Sequence, residues 1–260
     1  MAFSGDYHTH TVYSHGKGLI EHNVLFAIRR GLKEVAITDH GFGQLAFGVS
    51  RKDMPKMRAE IEKMRIKYPQ IRVYLGIEAD LVSKKGKIDL KESDKPWLDI
   101  TVCGYHKFVL GMTPAFAWSN NLGMSGAKTI ARNTDAYVNA IERNEIDILS
   151  HPGNFCRCDV REVARACKHF GTYFELNGKR IYLTDEELAA AAEEGCEFVC
   201  DSDAHHPKKV GIFDLPLERV KRVGIPMTQI ANFDRLPDFR SNKGKHNPNE
   251  RTDKAGTLKE

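Results

Sequence analysis

The stretch EVAITDHG, residues 34–41, sets an apolar run, Val35-Ala36-Ile37, directly before a polar cluster of Thr38, Asp39 and His40, and closes on Gly41. Short β-branched runs suit a buried strand. In parallel α/β folds the chemistry gathers just beyond the carboxyl ends of such strands. The layout recurs along the chain. Strand-like runs occupy residues 5–11, 34–39, 72–79, 99–104, 147–150, 172–176 and 197–201. Amphipathic, helix-like stretches at 21–30, 51–68, 128–143, 159–169 and 184–194 separate most of them. The last begins Thr184-Asp185-Glu186-Glu187, a capping-box pattern, and stops before Gly195. Repeated β-then-α units with no break in composition predict one α/β domain with parallel strands. A barrel is expected over a doubly wound sheet, because every strand-adjacent motif carries polar groups that converge naturally on one barrel end.

Composition narrows the possible functions. A chain of 260 residues can bury a full core, and 41% hydrophobic with 28% charged residues are globular proportions. No apolar run approaches the roughly 18 residues of a membrane span, so no membrane partner is expected. The opening MAFSGDYHTHT lacks the basic start and apolar stretch of a secretory signal. A net charge of +4 is mild and spread out; it admits an anionic ligand and supplies no basic stripe for nucleic acid. Cys156 and Cys158 form C-x-C, and Cys196 and Cys200 form C-x3-C, neither of them a paired zinc pattern. Free thiols in a reducing cytoplasm are therefore expected. Residues 108–127, rich in Gly, Asn and aromatics, break the rhythm and read as a lid or a pocket wall. Residues 238–260 carry little apolar content and read as a polar, disordered tail, leaving 1–237 as the folded domain.

The polar groups at the strand ends are of one chemical kind. In Asp6-Tyr7-His8-Thr9-His10 the alternation of a strand puts Asp6, His8 and His10 on one side, with the imidazoles about 7 Å apart. Asp6 is expected to orient an imidazole. His15 follows in the next turn, and His40 follows the second run. Glu78 ends the third run, where a buried carboxylate is costly unless metal ions share it. His106 and His151 follow the fourth and fifth runs, and Asp203 and His205 follow the seventh at a spacing of two. The candidate ligands are thus His8, His10, His15, His40, Glu78, His106, His151, Asp203 and His205. Asp39 alternates faces with His40 and is read as orienting a different ligand. His206 is read as a rim residue, while His22, His169 and His246 fall in helix-like or tail segments.

Together D-Y-H-T-H, T-D-H-G, S-H-P-G and S-D-A-H, at 6–10, 38–41, 150–153 and 202–205, resemble the four signature motifs of the PHP (polymerase and histidinol phosphatase) superfamily of metal-dependent phosphoesterases. The resemblance spans about residues 4–210. It implies a distorted, TIM-like barrel of seven β/α units in a single domain, holding three divalent metal ions. By this analogy His8, His10, Glu78 and Asp203 hold one ion, and His15, His40 and His205 a second. His106 and His151 hold the third, with Glu78 bridging. Nitrogen and carboxylate donors suit zinc, manganese and iron alike.

Such a site predicts a hydrolase of small phosphomonoesters. The charge of three divalent ions exceeds that of Glu78 and Asp203, and a phosphate dianion balances the excess. Bound metal lowers the pKa of water from about 15.7 toward ~7. The expected chemistry is in-line attack by a metal-bridging hydroxide, with Asp39 or His206 as the acid for the leaving group. Lys17, Lys107, Arg157 and Arg180 follow strand ends and are candidate substrate contacts; Phe108, Phe116 and Trp118 are candidate stacking platforms. The short motif spacings look most like the stand-alone phosphatase branch. A histidinol-phosphate phosphatase is the nearest alternative, followed by a 3′–5′ exonuclease or nucleotide phosphoesterase acting on nucleic acid. A non-catalytic metal-binding module is disfavoured because all the ligand positions are filled.

Overall fold

The computed structural model describes residues 2–242. Its strands are β1 (Gly5–Asp6), β2 (Glu34–Ile37), β3 (Arg72–Asp80), β4 (Ile100–Gly104), β5 (Ile148–Leu149), β6 (Tyr173–Asn177) and β7 (Phe198–Asp201). All are parallel and pair in sequence order. The helices are α1 (Ile20–Arg29), α2 (Met54–Lys67), α3 (Pro114–Asn121), α4 (Ala127–Arg143), α5 (Val160–Phe170), α6 (Asp185–Glu193) and α7 (Asp214–Val223). A strand order that never reverses is that of a barrel and excludes the doubly wound sheet, which needs a reversal point. The barrel is distorted in two places. The β3–β4 connection carries no α-helix among the described residues, only a 3₁₀ turn at Lys95–Trp97. Among the described residues the β1–β7 seam has no ladder beyond the bridge Thr9–Ala204. Carboxylates complete it: Tyr7 N donates to Asp201 Oδ1 (2.6 Å), and Ser202 N donates to Asp6 Oδ1 (3.0 Å).

Strand alternation sorts the interior into layers. Ala36, Tyr74, Ile100, Val102, Ile148, Tyr173 and Val199 form an apolar floor with Tyr7. Two or four residues further along the same strands stand His40, Glu78, His106, Ser150, Glu175, Asn177 and Asp203. The same period that builds the floor therefore delivers the polar groups to the carboxyl end. The alternate positions pack outward against the helices in a second apolar cluster. At the start of α6 the expected capping box is present: Glu187 N donates to Thr184 Oγ1 (3.2 Å), and Thr184 N donates to Glu187 Oε2 (2.8 Å). All six cysteines are buried free thiols.

Two expectations need correction. The stretch 108–127, expected as a lid or a pocket wall, contains α3, which Phe116 anchors in the core against Tyr105. Phe116 is thereby removed from the candidate stacking platforms; Phe108 and Trp118 stay exposed. The domain boundary at 237/238 is also displaced. Phe239 is 2% exposed and plugs the amino-terminal mouth of the barrel, its ring 4.9 Å from Tyr7, 5.9 Å from Tyr173 and 6.0 Å from Tyr74. Ser241 N donates to Asp147 Oδ1 (2.9 Å), and Arg240 Nη1 donates to Ile141 O (3.0 Å). One aromatic side chain of the right size outweighs the polar average of its segment. Residues 243–260 of the expected tail lie outside the described residues.

Candidate metal centre

β3 is the longest strand, and it carries fully buried Glu78 to the centre of the polar layer. Its two oxygens face different sets of groups. Oε1 lies 2.7 Å from His151 Nε2 and 3.7 Å from His106 Nε2, and it accepts from Ser150 Oγ (3.0 Å). Oε2 lies 3.0 Å from His40 Nδ1, 3.3 Å from His8 Nε2 and 3.7 Å from His10 Nε2. Opposite, Asp203 Oδ1 is 3.2 Å from His205 Nδ1, 3.3 Å from His10 Nε2 and 4.0 Å from His8 Nε2. His15 is exposed at the mouth, its ring 4.2 Å from that of His205 and 4.8 Å from that of His40. All nine sequence-predicted ligands thus meet at one end of the barrel.

The donor chemistry fits divalent cations. Buried His8 Nε2, both nitrogens of His10 and of His40, and Glu78 Oε2 have no hydrogen-bond partner. Such orphaned atoms are costly in a protein interior, and a cation among them removes the cost. Three groups of side chains bring ligand atoms within 4.8 Å of one another: His8, His10 and Glu78; His10, His40 and His205; His40, Glu78 and His106. Burial pushes the His40 imidazole down to about 3; at the mouth, partial desolvation, with His205 and Lys179 nearby, lowers the His15 imidazole to about 4. Both are neutral at pH 7, the form in which imidazole binds metal. Burial disfavours charge on Glu78 and Asp203 as well, yet His8 and the other facing imidazoles hold both carboxyls well below the ordinary range. For His106, burial is outweighed by Glu78 and Asp80, and its pKa rises to about 9.

Outer groups set which nitrogen faces inward. His8 Nδ1–H donates to Glu175 Oε1 (2.6 Å), His106 Nδ1–H to Asp80 Oδ1 (2.8 Å) and His205 Nδ1–H to the Asp203 carbonyl (2.9 Å). Each leaves Nε2 as the donor toward the centre. Glu175 Oε2 also accepts from His151 N (2.5 Å) and Asn177 Nδ2 (3.0 Å), and Asn177 Nδ2 reaches Asp203 Oδ2 (3.2 Å). His151 and Asp203 have φ of 28° and 49°, a region costly for side-chain-bearing residues; this network holds them there. Gly104 makes room for the arrangement, because a Cβ at that position would stand 2.3 Å from Ser150 Oγ and 2.7 Å from His151 Cε1.

Sequence reasoning passed over Glu175, Asp80 and Asn177. The available signal was the period of two, since Asp80 follows Glu78 and Asn177 follows Glu175 on their strands. Glu175→Gln is expected to weaken metal affinity about 10- to 100-fold. All three of its partners donate, and an amide offers one acceptor where the carboxylate offers two. Metal retention on dialysis against a graded chelator checks this, and wild-type retention would contradict it.

The remaining predicted residues divide. Asp6 orients no imidazole; it accepts from Ser202 N, Ser202 Oγ and Gly211 N, because the barrel sets β1 beside the loop after β7. Asp39 is fully buried, accepting from Thr11 N (2.6 Å), Thr11 Oγ1 (2.5 Å) and Ser14 Oγ (2.5 Å). It therefore fixes the loop between His10 and His15, with both oxygens engaged and no opening to a leaving group. His206 is exposed and accepts from Lys208 N (3.2 Å). Arg157 is held by Glu187 (2.5 Å) and the Tyr182 carbonyl (3.3 Å). Lys107 Nζ sits over the Phe155 ring at 3.7 Å. Arg180 does line the cleft above the histidines, a cavity of about 210 Å³, together with Lys179, Phe47, Asn154 and Tyr182. Lys17 borders an adjoining cavity beside His205 and His206.

Comparison with known proteins places this arrangement. The family model described as the PHP domain matches residues 6–202. A protein named "Probable phosphatase" from Shewanella loihica is 30% identical over 261 residues, covering 94% of this chain and 96% of its own length. A probable phosphatase from Thermoanaerobacter sp. is 29% identical over 244 residues, covering 88% and 90%. Among solved structures, the histidinol phosphate phosphatase of Lactococcus lactis, complexed with zinc, L-histidinol and phosphate, shares the fold. Its TM-score is 0.60 at 15% identity, covering 93% of this chain and 98% of that one. The chain, with its seven-stranded barrel and its ring of histidines at the carboxyl end, belongs to the PHP domain family.

Proposed function

We propose that the protein is a metal-dependent phosphatase of small phosphomonoesters, with nine side chains holding three divalent ions. The observation that carries the reading is Glu78, whose two oxygens face two separate sets of imidazoles. That is the arrangement of a bridging carboxylate. His8, His10, Glu78 and Asp203 would hold one ion, His15, His40 and His205 a second, and His106 and His151 a third shared through Glu78. His40 stands between the second and third sets, since its ligand atoms group with those of both. When bound, the ions supply Lewis-acid charge and an acidic water at neutral pH.

The chain's own residues do the rest. Lys179 and Arg180, at the edge of the cleft, neutralise and orient the phosphate. Asn177 Oδ1 accepts from the backbone N–H of both, at 2.9 and 3.1 Å, so their placement is tied to the ligands. Phe47, packed 4.5 Å from His15 and 5.1 Å from His40, limits water at the mouth. His206 is the rim group available to protonate a leaving alkoxide, Asp39 being sealed off. Among the described residues no serine, threonine or cysteine lines the cleft, which favours direct attack by water over a seryl, threonyl or cysteinyl phosphoenzyme.

The test is metal-stripped protein reconstituted separately with manganese, zinc and ferrous iron. It is offered histidinol phosphate, nucleoside mono- and bisphosphates, phosphotyrosine and a short single-stranded DNA. The expected result is chelator-sensitive release of phosphate from monoesters, with the released phosphate labelled in single turnovers run in heavy-oxygen water. Activity on DNA alone would move the protein to the nuclease branch, and silence with every metal would overturn the proposal.

A further inference from the structure

Beside the metal cleft lies a second cavity of about 440 Å³, and the two share Lys179, Asp203 and His205 as walls. Its other walls include Lys17, Lys209, His206 and Ile212. Three lysines therefore line one cavity. They come from three separate loops, after β1, β6 and β7, so the clustering is a product of the tertiary fold. Each loop is anchored to the metal-binding segments. Lys17 N donates to the His205 carbonyl (2.8 Å), Lys209 N to the His206 carbonyl (2.8 Å) and Lys179 N to Asn177 Oδ1 (2.9 Å). Among the described residues none of the three ammonium groups has a carboxylate within 4.0 Å. The one carboxylate on the wall, Asp203, is engaged with the histidines.

Three like charges around a concave, partly apolar space repel one another and raise the local concentration of anions. We propose that this annex binds a second anionic group of the substrate, a carboxylate or phosphate joined by a short apolar spacer to the phosphate that is cleaved. Ile212 and the lysine stems pack the spacer. The same charge selects against substrates with a cationic distal group, such as the amine of histidinol phosphate. The inference rests on the phosphatase reading for its cleaved phosphate but not for its binding site.

Two measurements separate the two ideas. The first compares kcat/KM of the manganese-loaded enzyme for ω-carboxyalkyl, ω-hydroxyalkyl and ω-aminoalkyl phosphates of equal chain length. The carboxylates are expected to lead the alcohols by about tenfold, as one charge-assisted contact allows, with the amines last. The lead should shrink in high salt, and it should collapse in Lys209→Gln and in Lys17→Gln/Lys209→Gln. The second measures calorimetric binding of ω-carboxyalkylphosphonates against alkylphosphonates, which needs no turnover. If esters are hydrolysed without preference and the phosphonates bind equally, the annex is refuted and the phosphatase reading stands. Tighter binding of the carboxylated phosphonate with no ester hydrolysed would leave the annex standing and defeat the phosphatase reading. A preference for the amine would overturn the annex.

Discussion

Glu78→Gln is expected to lower kcat/KM on any phosphomonoester by about a thousandfold, a loss of roughly 4 kcal/mol in transition-state stabilisation. The substitution keeps the shape of the side chain and removes its charge. One oxygen becomes an amide N–H₂ group, which faces either His106 and His151 or His8, His10 and His40. Whichever way it turns, one set of imidazoles faces an amide in place of a carboxylate oxygen, and any ion there would lose a ligand. The metal content of dialysed protein, read by elemental mass spectrometry, should therefore fall together with the rate. Glu78→Asp keeps the charge and shortens the reach, and it should retain more metal than the glutamine variant. Full metal loading with near-normal turnover in Glu78→Gln would remove the bridging role and with it the trinuclear reading.

Phe239→Ala is expected to destabilise the protein by about 3–5 kcal/mol, the range for emptying a buried aromatic site. At about 2–4 °C per kcal/mol for a domain of this size, Tm should drop by roughly 6–20 °C. The ring seals the end of the barrel opposite the metal centre, stacking edge-on against Tyr7, Tyr74 and Tyr173. Removing it opens a void among residues that cannot collapse, because each is held on, or directly after, a different strand. Below Tm the rate per metal-loaded molecule should remain within about twofold of normal, since apolar floor residues separate Phe239 from the ligands. Phe239→Leu should recover part of the loss. A urea midpoint unchanged by Phe239→Ala would show that residues 238–242 do not close the barrel.

Much of the site was legible along the chain because its signals are local. A strand alternates faces over two residues, so His8 with His10 and Asp203 with His205 read as pairs before any fold is known. The apolar runs and the capping box at Thr184 are likewise decided by neighbours a few positions away. Other residues misled for physical reasons. Asp6 shares the phase of His8, yet its partners are Ser202 and Gly211. Arg157 follows a strand end like a substrate contact, but Glu187 on α6 captures it. Glu175 lay in a strand that showed no ligand, although it holds both His8 and His151.

What the sequence by itself determined is the seven strands and five of the helices, their parallel order, and the delivery of imidazoles and carboxylates to one end of them. Alternation and turn chemistry act over a handful of residues, and those are written contiguously. Only the tertiary structure decided which oxygen of Glu78 meets which histidines, which nitrogen each imidazole turns inward, and that Phe239 belongs to the core. It also decided that Lys17, Lys179 and Lys209 share a cavity. These relations depend on closing the β1–β7 seam, which joins the first and last strands through hydrogen bonds between residues such as Tyr7 and Asp201. No local pattern encodes that register, because it is set by how all seven strands pack around one floor.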